Sequence, residues 1–133
     1  DSRAIVIASG GGGVPVMKQP NGTFKGLEAV IDKDKAGNIL AQATKADIFI
    51  ILTDVENACI NFGKADQKAL GKMTVSEIEK LYNEGHFLKG SMGPKVMAAI
   101  RFVKAGGEKS IITSLSKAVD ALDDLTGTII VKD

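Results

Sequence analysis

The sequence predicts an α/β fold with a mainly parallel sheet, contained in one domain over residues 1–133. Short and almost wholly apolar runs, typical of strands buried on both faces, recur along the chain. Between them stand stretches of about ten residues with helical periodicity, the arrangement of parallel strands joined by helices. The four predicted strands are residues 4–8, 48–52, 110–114 and 128–132.

Four consecutive glycines follow the first predicted strand, namely Gly10, Gly11, Gly12 and Gly13. Glycine is costly to order, so a fold keeps such a loop where the backbone needs positive φ or a close approach. The loop lacks the Gly-Lys-Ser/Thr of a P-loop, and Pro15 stands where the dinucleotide-binding pattern has its last glycine. A tight turn and an anion-binding loop are equally compatible with this pattern.

The first helix is predicted over residues 34–46, capped by Asp32 or Asp34. Lys33 stands between these aspartates, where backbone N–H groups and the helix dipole favour negative ligands. A lysine there can neutralise charge on a phosphoryl group in transfer, and Asp34 can hold that lysine or a neighbouring one. The same residues also suit an ordinary solvated helix start.

The strand over residues 48–52 is stopped by TDVEN, and ACINF after it is predicted to form a short strand in a hairpin or flap. In open parallel sheets, ligands bind beyond the carboxyl ends of the strands. That rule selects the glycine loop, and Thr53 with Asp54 after the second strand. The segment KADQKALGK, residues 64–72, is expected to be solvated and mobile.

Two further helices have clear starts. Thr74 and Glu77 form a capping box ahead of one helix, and Pro94 suits the first turn of the next. The loop GSMGPK lets the backbone approach a phosphate and adds the charge of Lys95. For GSMGPK alone, an ordinary helix start with an exposed lysine is the plainer interpretation. Two such helix starts in one short chain, at Lys33 and Lys95, together indicate a phosphate-binding site.

The last predicted helix lies between the strands over residues 110–114 and 128–132. Ser116 is expected to cap it, with Val119, Leu122 and Leu125 along one apolar side.

The composition excludes several kinds of partner. The 17 basic and 16 acidic residues give a net charge of +1 without a basic stripe, so no nucleic-acid partner is expected. Cys59 is the only cysteine, and with His86 it makes no metal-site pattern. We expect Cys59 to be buried rather than reactive, and His86 to have a surface or packing role. Neither a membrane span of roughly 20 apolar residues nor a signal peptide is present, so a soluble, cytoplasmic protein without a membrane partner is expected.

Several segments stand in the same order, and at close to the same spacing, as in carbamate kinases. They are VIASGGGGVPV, GLEAVIDKD, FIILTDV, INFGKADQKALG and EGHFLKGSMGPKVMAAIRFV. The chain therefore resembles a carbamate kinase of the amino acid kinase family over essentially all of its length. The resemblance implies a three-layer α/β/α fold and reversible phosphoryl transfer, in which carbamoyl phosphate and Mg-ADP give ATP and carbamate, as in arginine fermentation.

The resemblance also implies roles for the motif residues. The four glycines would face carbamate or the transferred phosphoryl group, Lys33 would neutralise that group, and Asp34 would orient the catalytic lysines. The implied nucleotide contacts are Thr53, Asp54 and Val55 at the border of the nucleotide, and Met92, Gly93, Pro94 and Lys95 at the ATP phosphates. ATP or ADP and Mg²⁺ are the implied cofactors.

The resemblance covers the carboxyl-terminal, nucleotide-side part of the family. This chain opens with DSRAIVIA and no methionine, whereas family members extend well upstream and form homodimers. The upstream half would carry the first glycine-rich phosphate loop and a further catalytic lysine, so we expect this chain to be inactive alone. Ala58 and Cys59 replace a bulkier pair ending in tyrosine, which is expected to alter the adenine side. The alternative function is a non-catalytic nucleotide- or phosphate-binding module that keeps Lys33 and Lys95.

Overall fold

A mixed four-stranded sheet with helices on both faces forms the centre of the protein. The computed structural model describes residues 4–10 and 13–133. The strands are β1 (Val16–Lys18), β2 (Phe24–Gly26), β3 (Ile48–Thr53), β4 (Cys59–Ile60), β5 (Lys68–Ala69), β6 (Lys72–Thr74), β7 (Lys109–Ser114) and β8 (Thr128–Val131). The helices are α1 (Lys33–Ala43), α2 (Val75–Asn83), α3 (Met92–Lys104) and α4 (Ala118–Leu122), with a 3₁₀ turn at Leu115–Lys117.

The central sheet has the strand order β3-β7-β8-β6. β3 pairs with β7 and β6 with β8 in parallel, whereas β7 and β8 are antiparallel. Two of these three pairings are parallel, which confirms the predicted mainly parallel sheet. Two small antiparallel hairpins, β1-β2 and β4-β5, lie outside it.

The two faces of the sheet bury different residues because successive side chains of a strand point to opposite sides. Ile112 and Ile130 pack with α1, α2 and α3 in the larger core, together with the fully buried Phe102. Ile111 packs with Ala121 of α4 on the other face. The result is the predicted α/β/α layering, with one thick helical layer and one thin one.

Local sequence patterns explain where the helices begin. Thr74 and Glu77 form the predicted capping box: the Thr74 hydroxyl accepts from the Glu77 amide at 3.3 Å, and the Glu77 carboxylate accepts from the Thr74 amide at 2.8 Å. At α1 the cap is Asp32, whose carboxylate accepts from the Lys35 amide at 2.8 Å. Asp34, the other candidate cap, thereby lies inside the first turn with its carboxylate free to bind elsewhere.

The prediction of a buried strand over residues 4–8 is wrong. This segment is not part of any described strand, and Ile5 and Ile7 are 98% and 97% exposed. An apolar run becomes a strand only where a neighbouring strand accepts its backbone hydrogen bonds. No described strand pairs with it.

The predicted cap and apolar side of the last helix are also wrong. The cap position of α4 is Lys117, not Ser116, and no side chain caps it. Val119 is exposed, whereas Ala121 faces the sheet. Leu125 lies beyond the end of α4, because the backbone turns out of the helix at Asp124 with φ of 60°.

Some short elements were not predicted from the sequence. β1, β2 and β6 have three residues each, too few for a hydrophobic period to appear. Lys68–Ala69, inside the segment predicted to be mobile, pairs with Cys59–Ile60 and completes the hairpin predicted at ACINF. Within the described part of the chain, no helix is both long and apolar enough to cross a bilayer.

Candidate functional site

A cavity of about 170 Å³ lies where β3 ends, between the start of α3 and the β4-β5 hairpin. Thr53 at the end of β3 is in register with Ser114 at the end of β7, so the carboxyl ends of both parallel strands face this edge of the sheet. The Thr53 hydroxyl donates to the Asp54 carboxylate at 3.0 Å and fixes the turn out of the strand. The cavity therefore occupies the place where open parallel sheets bind ligands.

Five residues predicted as nucleotide contacts line this one cavity, and they are Thr53, Asp54, Val55, Met92 and Lys95. They come from two segments separated by the hairpin and by α2. Parallel strand geometry accounts for the first three, and the first turn of α3 accounts for the other two.

Asp34 reaches the same site through an ion pair. The Lys95 ammonium donates to both oxygens of the Asp34 carboxylate, at 3.1 and 3.2 Å. The side chains of Lys95 and Asp34 are 24% and 20% exposed, respectively, so water screens the pair only in part. The pair joins the first turn of α1 to the first turn of α3 and holds the Lys95 ammonium at the cavity wall.

Gly93 and Pro94 do not line the cavity, although they adjoin Lys95. Gly93 is buried, and its amide donates to the Leu88 carbonyl at 2.9 Å. A Cβ added at Gly93 would lie 2.9 Å from that carbonyl oxygen, so only glycine allows this close packing. Pro94 faces a separate depression between α1 and α3, beside Arg101.

The remaining predicted site residues lie elsewhere. Lys33 is the first residue of α1 and is exposed, and it is not part of the cavity wall. Gly10 and Gly13 are exposed, and a Cβ built on either meets nothing within 4 Å. Gly11 and Gly12 lie outside the described residues. The roles of Lys33 and the glycine loop stay predictions.

The cavity is lined by both polar and apolar side chains. The Thr53 and Ser91 hydroxyls and the Lys95 ammonium can donate to an anion, whereas the Asp54 carboxylate can only accept. Phe62, Phe87 and Leu88 supply apolar surface. The volume is below the range of about 300–1,000 Å³ for a whole small-molecule site, so the enclosed part suits one end of a larger ligand.

The sequence model of the amino acid kinase family matches residues 1–114 of this chain. The chain belongs to the amino acid kinase family. Its relatives include carbamate kinase of Thermococcus kodakarensis, which is 64% identical over 129 residues, covering 97% of this chain and 41% of the relative. Carbamate kinase of Pyrococcus horikoshii is 58% identical, covering 96% of this chain and 40% of the relative.

Solved structures of similar sequence share the fold. Carbamate kinase from Giardia lamblia bound to AMP-PNP superposes with a TM-score of 0.87 and 54% identity, covering 92% of this chain and 43% of that one. The resemblance stated from the motifs and the predicted fold class are both confirmed. The chain spans about two fifths of the length of these carbamate kinases.

Two residues of this family member line the cavity although the sequence predicted a buried position for Cys59 and a surface or packing role for His86. His86 lies on the wall, with its Nε2 3.5 Å from the Glu84 carboxylate. Cys59 is only partly buried, and its Sγ accepts from the Gln67 amide nitrogen at 3.7 Å. The positions of these two residues in the sequence could have indicated that they line the site. Cys59 lies in ACINF, which follows TDVEN, and His86 lies in EGHFLKG, which precedes GSMGPK, and both TDVEN and GSMGPK contain residues predicted to contact the nucleotide.

The described residues of this family member include no cluster of three or more His, Cys, Asp or Glu side chains suited to hold a metal ion. Asp54 is the one carboxylate of the described cavity wall. Mg²⁺ in phosphoryl-transfer sites is bound through one or two carboxylates together with substrate phosphates. Asp54 is therefore the residue of this wall whose chemistry fits such a contact.

Proposed function

We propose that this chain binds ATP or ADP at the cavity beside Lys95, as the nucleotide-binding part of an ATP:carbamate phosphotransferase. The reaction is the reversible conversion of carbamoyl phosphate and ADP into carbamate and ATP. The observation that carries the proposal is the convergence of Thr53, Asp54, Val55, Met92 and Lys95 on one cavity at the sheet edge. Relatives that match nearly the whole chain are carbamate kinases, which favours this function over a non-catalytic binding module.

Lys95 is proposed to hold the nucleotide phosphates without leaving Asp34. A lysine ammonium has three N–H donors, and the two Asp34 oxygens use at most two of them. The remaining donor is available to a phosphate oxygen in the cavity. In this arrangement Asp34 aims the ammonium and restricts its flexible stem, so less side-chain entropy is lost when the phosphate binds.

Gly93 and Pro94 support this contact from behind. The packing of Gly93 against the Leu88 carbonyl fixes the first turn of α3 close to the loop that precedes it. Pro94 restricts the backbone of the same turn. The fixed start of α3 then presents Met92 and Lys95 to the cavity. Thr53, Asp54 and Val55, at the end of β3, are proposed to border the nucleotide.

The transfer step itself needs charge neutralisation and positioning, not a covalent nucleophile. Lys33 is proposed to neutralise the transferred phosphoryl group, and Gly10, Gly11, Gly12 and Gly13 to face carbamate. Mg²⁺, when bound with the nucleotide, supplies charge stabilisation on its phosphates. The full-length parent is proposed to be a cytoplasmic homodimer.

The 133-residue chain is proposed to bind nucleotide but not to turn over. Gly10 and Gly13 are exposed, and a Cβ built on either would meet nothing within 4 Å. The chain also spans only about two fifths of the length of its carbamate kinase relatives, which supports the proposal that it does not turn over alone. We expect no ATP from carbamoyl phosphate and Mg-ADP with the purified chain. A coupled luminescence assay that records ATP above the enzyme-free rate would contradict this.

A matched pair of lysine variants tests the proposed function. Lys33 and Lys95 both stand in the first turn of a helix, but only Lys95 lines the cavity. Calorimetric titration with Mg-ADP should show a several-fold weaker affinity for Lys95→Ala and almost no change for Lys33→Ala. Equal losses in the two variants would overturn the assignment of the phosphates to Lys95.

A further inference from the structure

One wall of the cavity is a hairpin too small to hold its own position. β4 and β5 pair through only two residue pairs, Cys59 with Ala69 and Ile60 with Lys68. Phe62, beyond the end of β4, and Cys59 both line the cavity. Because a two-stranded hairpin is marginal in water by itself, its placement needs an attachment to the main sheet.

Ala58 and Leu70, which flank the hairpin, are buried in the core, and its second strand leads directly into β6. The polar attachment is the hydroxyl of Thr128, at the start of β8. Its Oγ1 accepts from the Ala58 amide at 2.9 Å, next to β4, and donates to the Leu70 carbonyl at 2.6 Å, next to β5. Thr128 and Ala58 are fully buried and Leu70 is nearly so. One hydroxyl thus joins both legs of the hairpin to the central sheet, and we call this pair of hydrogen bonds the Thr128 bridge.

The position of Thr128 is itself closely determined. Gly127, which precedes it, has φ of +84°, and a Cβ added there would lie 3.0 Å from the Ile112 carbonyl oxygen. Glycine at 127 therefore lets the start of β8 lie against β7, where Thr128 is in register with Ile112. The pairing of β8 with β7 thus fixes the position of the hydroxyl. The side-chain amide of Asn57 also donates a hydrogen bond to the Leu70 carbonyl, at 3.0 Å.

We propose that Thr128 is a positioning residue of the nucleotide cavity, which rests on the function proposed above. Thr128 does not line the cavity. It acts through the hairpin, by keeping Cys59 and Phe62 at the wall opposite α3. Loss of its hydroxyl would leave the buried Ala58 amide without a partner, and this would lower the free energy needed to open the hairpin to water.

Cys59 is the chain's only cysteine, so its reaction with an aromatic disulfide reagent reports on the hairpin alone. Thr128→Val keeps the shape and removes the hydroxyl, and should raise the rate of Cys59 modification roughly tenfold under native conditions. Thr128→Ser keeps a hydroxyl at this position, so Cys59 of this variant should react within about twofold of the rate in the parent chain. Thr113→Val is the matched control, because Thr113 is equally buried and its Oγ1 has no partner among the described residues.

Two results would overturn the proposal: a parent-like thiol rate in Thr128→Val, or an equal acceleration in Thr113→Val, which would indicate a general loss of stability. Amide exchange on the unaltered chain gives an independent reading if Thr128→Val fails to fold. The Ala58 amide should be protected like that of Ile130 in β8, and far more than that of Gly63, which donates to the exposed Gln67 side chain. Exchange of the Ala58 amide as fast as that of Gly63 would contradict the Thr128 bridge.

The effect on the site is measured separately with Mg-ADP. Thr128→Val should weaken ADP binding several-fold, Thr128→Ser should not, and unchanged affinity in Thr128→Val would overturn the positioning role. If the parent chain bound no ADP, the proposed function would fail, while the thiol rates would still decide whether Thr128 holds the hairpin.

Discussion

The ion pair between Asp34 and Lys95 should contribute measurably to stability, and a double-mutant cycle isolates its contribution. Asp34→Asn keeps the shape of the acid, and Lys95→Met keeps most of the apolar stem of the lysine. The two single variants and the double variant then report the coupling energy between the side chains. The matched control is the pair of Lys104 with Glu79, which joins α3 to α2.

The expected magnitude follows from burial rather than from distance. Lys104 lies closer to its partner, at 2.6 Å, but the two side chains are 50% and 36% exposed. Exposed pairs contribute about 0.2–1 kcal/mol, whereas breaking a fully buried pair costs about 3–5 kcal/mol. The Asp34–Lys95 pair is about three quarters buried, so we expect a coupling of about 1–2 kcal/mol, and about 0.5 kcal/mol or less for the control.

Urea unfolding monitored by circular dichroism, at low and high salt, measures both cycles. The Glu79–Lys104 coupling should fall close to zero at high salt, and the Asp34–Lys95 coupling should persist in part. A coupling for the control equal to or larger than that of the Asp34–Lys95 pair would refute the reasoning that burial dominates here.

Further predictions concern packing and pH. Gly93→Ala should lower the free energy of unfolding by about 1–3 kcal/mol, because its Cβ would crowd a carbonyl oxygen at 2.9 Å, and an unchanged urea midpoint would contradict that packing. The hydrogen bond from Lys109 holds the pKa of Asp124 below its usual value of 3.8, so the stability it adds is present above that pH and is lost as the pH falls through the lowered pKa. Asp124→Asn should therefore destabilise by less than about 1 kcal/mol at neutral pH, and the difference should shrink as the pH falls below 3.8; a difference that stays constant on acidification would exclude this linkage. Phe102→Ala should cost about 3–5 kcal/mol, and Val119→Ala on the exposed side of α4 less than about 0.5 kcal/mol; similar losses would contradict the layering.

The sequence predicted best the elements whose cause is local. The capping box at Thr74 needs only residues three apart, and the continuous apolar runs predicted β3 and β7 as strands. Burial on both faces holds for β7 but not for β3, which lies at the edge of the sheet and leaves Leu52 42% exposed. The run over residues 4–8 has the same apolar pattern but is not a strand. A strand also needs a neighbouring strand to pair with, and the local sequence does not show whether one is present. Ser116 failed as a cap because α4 begins one residue later, after the 3₁₀ turn.

The site was less predictable because it depends on distant segments. Asp34 and Lys95 are 61 positions apart, and their contact follows from how α1 packs on α3. Pro94 and Lys95 are sequence neighbours but face different depressions, since adjacent helical residues point about 100° apart. Cys59, in β4, and His86, in the loop before α3, both line the cavity, and no spacing rule predicts that these two residues share one wall.

Calorimetric titration of the 133-residue chain with Mg-ADP, with AMP as the nucleotide that lacks a β-phosphate, tests the nucleotide site most directly. If the Lys95 ammonium holds a nucleotide phosphate, ADP should bind saturably and AMP should bind much more weakly. Equal affinities for ADP and AMP, or no binding of ADP at all, would contradict a phosphate site formed by Lys95 at this cavity.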